Sequence, residues 1–534
     1  MKRFLQSRFG LILFHSFVFS LIYNFTFFKK AAGIYSESEN VFFLISLFLV
    51  LFFVIVIFFS LFSFSTRLFK LWVGFNYIVS AMALYSMYAY NVVVDNVMIL
   101  NLFDSNKNEL LDLISVQSIL VIFFLGITPC VFVVFSKIQD IGFRRYFVRA
   151  IGLICLCIVL IFGNLKTFSK SYASFFRKHK SIRSYILPIF PLYSIGKLLS
   201  QKLKKERPYV DKATDVSQLL DKKNILFIVI GETVRGDHLS INGYEKKTTP
   251  KLANENIITY SNVTSCGTST AYSVPCLFSP KNMDEFKLDE FSSYSNLLDI
   301  LKKLPQTKVV WRDNNSDSKG VAKRIGSTDY RSRKLNPICN EECRDVGMLE
   351  GIEKLYDKET KNLIIVFHLM GSHGPSYYKR YPKEFEKFKP ICRTGQLEKC
   401  SVEEINNVYD NTILYLDYFL SLAINKLKGL NENYNKTLVF VSDHGESLGE
   451  SGYYLHGYPY RFAPKEQKNA AMILWHGDKS HQSQSNNERY VLNSNLISHD
   501  NFFHTVLGSI GVQTEHYDRY LDLFYHHNSK YHKL

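Results

Sequence analysis

Three stretches in the first third of the chain contain no charged side chain: Val41 to Ser65, Leu71 to Val94 and Leu113 to Ser136. At 1.5 Å rise per residue each can cross ~30 Å of hydrocarbon. A backbone there must satisfy its own hydrogen bonds, so these stretches are expected as membrane helices. Phe9 to Phe28, with His15 as its one acidic or basic side chain, and Ala150 to Asn164, preceded by Arg149 whose stem can snorkel, bring the expected count to five. The mean hydropathy of −0.03 merely averages this apolar part with a polar remainder.

Cations set the orientation. Lys2, Arg3 and Arg8 precede the first span, Arg67 and Lys70 separate the second from the third, and Lys137, Arg144, Arg145 and Arg149 separate the fourth from the fifth. The opposite side has only Lys29, Lys30 and Lys107, beside Asp95, Asp104, Glu109 and Asp112. The positive-inside rule therefore puts the N-terminus in the cytoplasm and everything after Asn164 outside. No small-residue cleavage site follows the first span, which reads as a retained anchor.

Cysteine placement agrees with export. Cys266 and Cys276, Cys339 and Cys343, and Cys392 and Cys400 are near neighbours in the exported part. Six cysteines allow fifteen connectivities, and proximity favours these three pairs in an oxidising compartment. The spacing lacks the C-x-x-C and companion histidines of a cysteine zinc site. Cys130, Cys155 and Cys157 fall in or beside spans and are expected unpaired.

Between Lys166 and Arg207 there are eleven Lys or Arg residues against the single acid Glu206, interleaved with Phe168, Tyr172, Phe175, Phe176, Tyr185 and Phe190. Such a connector suits an anionic membrane surface, with its aromatics at headgroup level. Pro188 and Pro191 preclude one long helix. Much of the net charge of +16 belongs to this stretch and the cytoplasmic loops, outside any nucleic-acid-binding motif, so no nucleic-acid partner is expected. The expected divisions are a five-helix transmembrane domain over 1–164 with an external loop over 91–112, a basic linker over 165–221 and an exported catalytic domain over 222–534.

In that last part, Asn224–Ile230, Lys308–Trp311, Asn362–Phe367 and Thr437–Val441 are short apolar runs separated by helix-compatible sequence. They predict an α/β domain with a mostly parallel sheet flanked by helices. Ligands of such sheets collect beyond the carboxyl ends of the strands, where this chain has Glu232, Asp313, His368, Asp443 and His444. Glu232, Asp443 and His444 with the hydroxyl of Thr270 make a mixed oxygen and nitrogen donor set suited to Zn²⁺. Coordination would make the threonine hydroxyl a usable nucleophile. Gly267 and the small residues around Thr270 suit a tight strand-to-helix turn whose amides face phosphate oxygens. His368 is a secondary candidate; His499 and His504 read as structural.

Gly231-Glu-Thr233, Cys266-Gly-Thr-Ser-Thr-Ala271, Gly371-Ser-His-Gly-Pro375, Tyr409-Asp-Asn-Thr-Ile-Leu-Tyr415 and Ser442-Asp-His-Gly-Glu-Ser-Leu-Gly449 followed by His456-Gly457 resemble the bacterial phosphoethanolamine transferases that modify lipid A, a family that includes the mobile colistin-resistance enzymes. The resemblance implies five membrane helices and a periplasmic domain of the alkaline phosphatase and sulfatase type in the inner membrane. It also implies zinc held by Glu232, Thr270, Asp443 and His444, with Thr270 as the phosphoethanolamine acceptor. His373 and His456 match residues near the substrate phosphate or a second metal, and Lys319 matches a substrate-binding lysine. Asn101, Ser105 and Glu109, spaced to share one helical face, match loop residues that bind the headgroup.

The implied reaction is ping-pong. Thr270 takes phosphoethanolamine from phosphatidylethanolamine, and an acceptor oxygen then displaces it, with His373 or His456 serving the leaving oxygen. With a lipid A phosphate or sugar as acceptor, the added amine offsets negative surface charge and weakens attraction of cationic peptides such as polymyxin. A core sugar, a periplasmic glucan or a protein would serve the same chemistry, and a monomer suffices for it. A sulfatase needs its modified residue in a [Cys/Ser]-x-Pro-x-Arg setting, whereas Ser273-Val-Pro-Cys-Leu277 ends in Leu. A glycerol-phosphate transferase of the same superfamily is the nearer rival. The chain departs from many family members at Asp317–Ala322, where extra cysteines are absent, and at Asn469-Ala-Ala471.

Overall fold

The computed structural model describes the chain apart from residues 1–5, 35–40, 97, 101–112, 140–141, 204–206, 220–221, 341, 478–489, 493–496 and 525–534. Asn101, Ser105 and Glu109 therefore lie outside the described residues. The fold has two compact units, one of residues 1–99 and 114–200, the other of 100–113 and 201–534.

The first unit is helical. Helices α3 (Val41–Ser60), α4 (Thr66–Ala89), α5 (Val116–Phe135) and α6 (Phe143–Thr167) are each long and apolar enough to cross a membrane. The expected first span is a bent pair, Arg8–Tyr23 and α2 (Phe25–Ile34), at 55°; its initial α-helical part, α1, is Arg8–Val18. The break has an identifiable cause. Phe19–Tyr23 forms a π-turn, and the Asn24 amide then donates to the Phe19 carbonyl at 2.9 Å and to the Leu187 carbonyl at 2.7 Å while accepting from Leu187 N at 2.9 Å. The basic stretch after α6 is ordered as α7 (Ser169–Lys178) and α8 (Ile189–Leu203). Of its aromatics, Tyr172, Phe175 and Tyr185 are buried, the first two against Phe43 of α3.

The second unit is built on an eight-stranded sheet. Its strands are β1 (Lys223–Gly231), β2 (Ile257–Thr264), β3 (Thr307–Asp313), β4 (Ser327–Asp329), β5 (Asn362–His368), β6 (Tyr434–Ser442), β7 (Asn469–His476) and β8 (Tyr490–Leu492), in the order β8-β2-β7-β6-β1-β5-β3-β4. The run from β6 to β4 is parallel and holds all four predicted strands. β7 runs antiparallel to both β2 and β6, which makes the sheet mixed. Helices α9 (Thr270–Leu277), α10 (Leu297–Lys302), α11 (Val402–Gly429) and α12 (Asp500–Ser509) accompany it.

Alternation along β1 divides its contacts between the faces. Leu226, Ile228 and Ile230 join a core with Leu297, Leu301, Phe502 and Val506 from α10 and α12. Phe227 meets Phe367 at 5.1 Å between ring centroids, and Phe367 meets Phe419 of α11 at 6.2 Å. The parallel register pairs Gly231 with Ser442, Ile230 with His368 and His368 with Asp313. The strand ends are thereby levelled, and the residues just past them meet.

Candidate active site

Glu232 follows β1 directly, and the chain then turns through Thr233 at φ +56°, a left-handed conformation that a β-branched residue adopts only under strong constraint. That turn aims Thr233 N at Asp443 Oδ1 (3.1 Å) and Val234 N at Ser442 Oγ (2.7 Å), while Tyr409 OH donates to Thr233 O (2.6 Å) and accepts from Arg235 N (2.9 Å). Gly371, at φ +50°, passes so close that a Cβ would lie 3.0 Å from Glu232 N and O. The strain is thus held by contacts with two other loops.

Thr270 is the first residue of α9, brought back over the sheet by the loop after β2. The Cys266–Cys276 disulfide ties the start of that loop to the end of the helix. Gly267 fits because any Cβ would come within 2.8 Å of Ser273 Oγ. His499, buried and neutral with its pKa pushed down to about 4 by burial, accepts from Cys266 N (3.1 Å) and donates to Ser442 O (2.9 Å), so it anchors the loop to β6. His504 likewise accepts a backbone hydrogen bond, from Asp518 N. Both are structural, as expected.

Thr270 Oγ1 donates to Glu232 Oε2 at 3.0 Å and lies 3.5 Å from His444 Nε2. His444 Nε2 is 3.6 Å from Glu232 Oε1 and 3.2 Å from Asp443 Oδ2. All four side chains are buried. His444 Nδ1–H donates to Gly445 O at 2.9 Å, which leaves a lone pair on Nε2 facing Asp443 Oδ2, a buried oxygen with no hydrogen-bond donor among the described residues. Burial pushes the His444 pKa down against the opposing pull of Asp443, which keeps the ring in its ligating neutral form. Two electron pairs meeting in a dry site make a place where a cation would be stabilised.

His373 and His456 complete the cluster. Glu232, Asp443 and His444 offer donor atoms all within 4.8 Å of one another, and so do Glu232, His373 and His456. The His456 ring lies 4.4 Å from that of His444 and 5.6 Å from that of His373. Burial, then neighbouring His456, Arg380 and His444, push the His373 pKa well down. Gly457 N donates to Thr268 O and Thr268 Oγ1 to Tyr458 O (2.7 Å), so the loop bearing His456 is fastened to the one bearing Thr270.

Not every strand-end residue joins in. His368 pairs with buried Asp313 at 2.9 Å, away from the cluster. Lys319, at φ +50°, lies four positions beyond Asn315 and donates from Nζ to Ser316 O at 2.9 Å. Two site residues escaped the sequence reasoning. Asn315 Nδ2 donates to Glu232 Oε2 and to Leu369 O, both at 2.8 Å. Buried Glu446 accepts His456 Nδ1–H at 2.7 Å and Tyr377 OH at 2.5 Å, which turns His456 Nε2 to the other side. Glu446 stands inside a motif already singled out, whereas Asn315 had no local signal.

Four consecutive residues of α11 hold the loops around this site. Tyr409 grips the turn after Glu232. Asp410 binds His238 and Lys246 at 2.8 Å, Asn411 accepts from Lys387 N and Phe388 N at 2.9 Å, and Thr412 Oγ1 donates to Ser372 Oγ at 2.6 Å, next to His373.

Residues 223–512 match the sulfatase family model, and residues 51–203 match that of phosphoethanolamine transferase EptA/EptB. Phosphatidylethanolamine transferase Mcr-1 of Escherichia coli is 40% identical over 468 residues, covering 85% of this chain and 86% of that protein. Phosphoethanolamine transferase EptA of Salmonella typhimurium is 34% identical over 534 residues, with 97% of each covered. The solved integral membrane lipooligosaccharide phosphoethanolamine transferase A of Neisseria meningitidis superimposes with a TM-score of 0.90 at 30% identity, covering 97% of this chain and 98% of that one. A membrane-helical unit, an alkaline phosphatase-like unit and this likeness across nearly the whole length place the chain in the bacterial phosphoethanolamine transferase family.

Proposed function

We propose that this protein transfers phosphoethanolamine from phosphatidylethanolamine to a phosphate or sugar of lipid A through a covalent phosphoethanolamine ester of Thr270. The observation that carries the reading is the set of donor separations. A tetrahedral ion with bonds of ~2.0–2.1 Å has ligand-to-ligand edges of ~3.3–3.4 Å, and Thr270 to Glu232 Oε2, Thr270 to His444, His444 to Glu232 Oε1 and His444 to Asp443 stand 3.0–3.6 Å apart. Those four residues would hold zinc, which lends Lewis acidity that favours the ionised form of a hydroxyl at neutral pH.

The chain's own residues do the rest. The Thr270 hydroxyl directs its proton at Glu232 Oε2, and its oxygen attacks the phosphorus of the donor lipid. The bond from phosphorus to the glycerol oxygen breaks, that oxygen takes up a proton, and diacylglycerol leaves. His373 and His456 flank the phosphoryl group, hold its oxygens and serve the leaving oxygen. In the second half an acceptor oxygen attacks the same phosphorus, the bond to Thr270 Oγ1 breaks, and threonine regains its proton. Lys319 draws the anionic substrate, and Asn101, Ser105 and Glu109 bind the donor headgroup.

The catalytic unit is assigned to the periplasmic side of the inner membrane, with the N-terminus cytoplasmic. The cation distribution supports this, as do the Cys266–Cys276, Cys339–Cys343 and Cys392–Cys400 disulfides. The name of the Escherichia coli relative supports the donor, and that of the Neisseria meningitidis relative supports a lipopolysaccharide-type acceptor. The product carries less negative charge, so cells gain resistance to polymyxin. The test is mass spectrometry of lipid A from cells with and without the gene: lipid A unchanged in mass while phosphoethanolamine appears on a glucan or protein refutes the acceptor.

A further inference from the structure

The loop after β4 combines features that the transfer chemistry does not use. Between Asp329 and Glu341 it reads Tyr330-Arg-Ser-Arg-Lys-Leu-Asn-Pro-Ile-Cys-Asn340, with three cations and no acid. Arg331, Arg333, Lys334 and Pro337 are exposed, as are Leu335 (47%) and Ile338 (40%). Single exposed aliphatic residues are ordinary; a pair on a rigid mount among cations is not.

The mount is well defined. Asn336, buried at the loop base, donates from Nδ2 to Tyr330 O and Arg344 O, both at 3.0 Å, and accepts from Ile338 N at 3.0 Å. Arg344 N donates to Ile338 O at 2.8 Å, and the Cys339–Cys343 disulfide closes the neck. Gly347 leaves room for Asn336, whose Oδ1 would lie 1.8 Å from a Cβ there. Leu335 and Ile338 are thus held in solvent by a base that cannot fold them inward.

We propose that residues 331–338 are a docking finger for an anionic phospholipid surface. Leu335 and Ile338 enter the boundary between headgroups and acyl chains, and Arg333 and Lys334 pair with lipid phosphates. Arg331 is already engaged by Asp329 at 2.9 Å and contributes less. Charge complementarity selects the occupant: clustered cations flanking apolar tips match an anionic bilayer. The inference needs a catalytic unit working at a membrane, not the transfer chemistry itself.

The finger is wired to the site. Cys343 O accepts from Asn314 Nδ2 at 2.9 Å, and the next residue, Asn315, holds Glu232. Glu342 pairs with Arg380, whose Nε donates to His373 O at 2.7 Å. A seated finger therefore fixes the height of the site above the lipid.

The test uses the full-length chain in nanodiscs of phosphatidylcholine, with or without phosphatidylglycerol. An environment-sensitive dye is placed at Leu335→Cys in a background carrying Ser for Cys130, Cys155 and Cys157. Brominated acyl chains should quench the dye in the anionic discs, and Lys334→Ala should lower the docked-to-undocked ratio about five-fold, the equivalent of ~1 kcal/mol per cation near the surface. A dye at Val402→Cys, exposed beside Glu403 and Glu404, should stay unquenched. As a label-free check, hydrogen exchange over 331–338 should slow in anionic discs and recover in Arg333→Ala/Lys334→Ala. No quenching, equal quenching in both lipids, or quenching only after lipid A is added each overturns the proposal, the last by making the finger an acceptor contact. Transfer activity enters none of these readouts.

Discussion

Asn315→Ala is the sharpest probe of how the proposed zinc site is held. The Asn315 amide bridges Glu232 Oε2 and Leu369 O at 2.8 Å each in a dry environment. Alanine removes a donor from a carboxylate, a charge-assisted bond worth ~1.5–3 kcal/mol, and orphans the Leu369 carbonyl, which costs ~1–3 kcal/mol of stability. Glu232 then loses one of the bonds that orient its carboxylate, and zinc affinity should fall roughly 10–100-fold, as for other residues that orient a ligand without touching the metal. The assay is a chelator competition on purified full-length protein, run beside a melting curve that separates loss of fold from loss of metal. Unchanged zinc affinity in a folded Asn315→Ala protein refutes either the bridge or Glu232 as a ligand.

Thr270→Ala should leave the fold and the melting temperature close to wild type while abolishing both the phosphoethanolamine adduct seen by intact-protein mass and all transfer; surviving turnover removes Thr270 as nucleophile. Replacing Cys266 and Cys276 together with Ser opens a loop with a sequence separation of 10, so stability should drop by about 3 kcal/mol, read as a melting temperature below that of wild type with both measured without reductant. Asp417 is buried and accepts from Lys251 N and Leu252 N, yet burial raises its pKa to about 6. A carboxyl raised above its unfolded value of ~3.9 costs nothing below that pH and an increasing amount as pH climbs through 6. Relative to Asp417→Asn, the wild type should therefore lose about 2 kcal/mol of stability between pH 4 and pH 7; a difference flat with pH contradicts the raised value.

The parallel part of the sheet was readable because strands buried on both faces must be apolar throughout. With their register levelled, the residues just past them had to meet, which is why Glu232, Asp443 and His444 could be nominated from strand-end position alone. β2 and β7 carry no such signature: Ile257–Thr264 alternates with Thr, Ser and Asn, and Asn469–His476 opens on Asn and two small residues. The bend in the first span depends on Asn24 finding Leu187, 163 positions away. Asn315 reaches Glu232 across 83 positions. Such contacts leave no periodicity behind, since any buried loop asparagine would look the same. Composition likewise does not disclose that Phe43 offers Tyr172 and Phe175 a packed neighbour.

The grip of Tyr409, Asp410, Asn411 and Thr412 has a mechanical corollary. Successive side chains on a helix point about 100° apart, so four in a row reach round nearly its whole circumference, each into a different segment. An element pinned on every side can neither roll nor slide. Inserting one residue upstream would swing all four grips away at once, and whatever gives way to admit a substrate must be sought in the segments α11 holds, not in α11 itself.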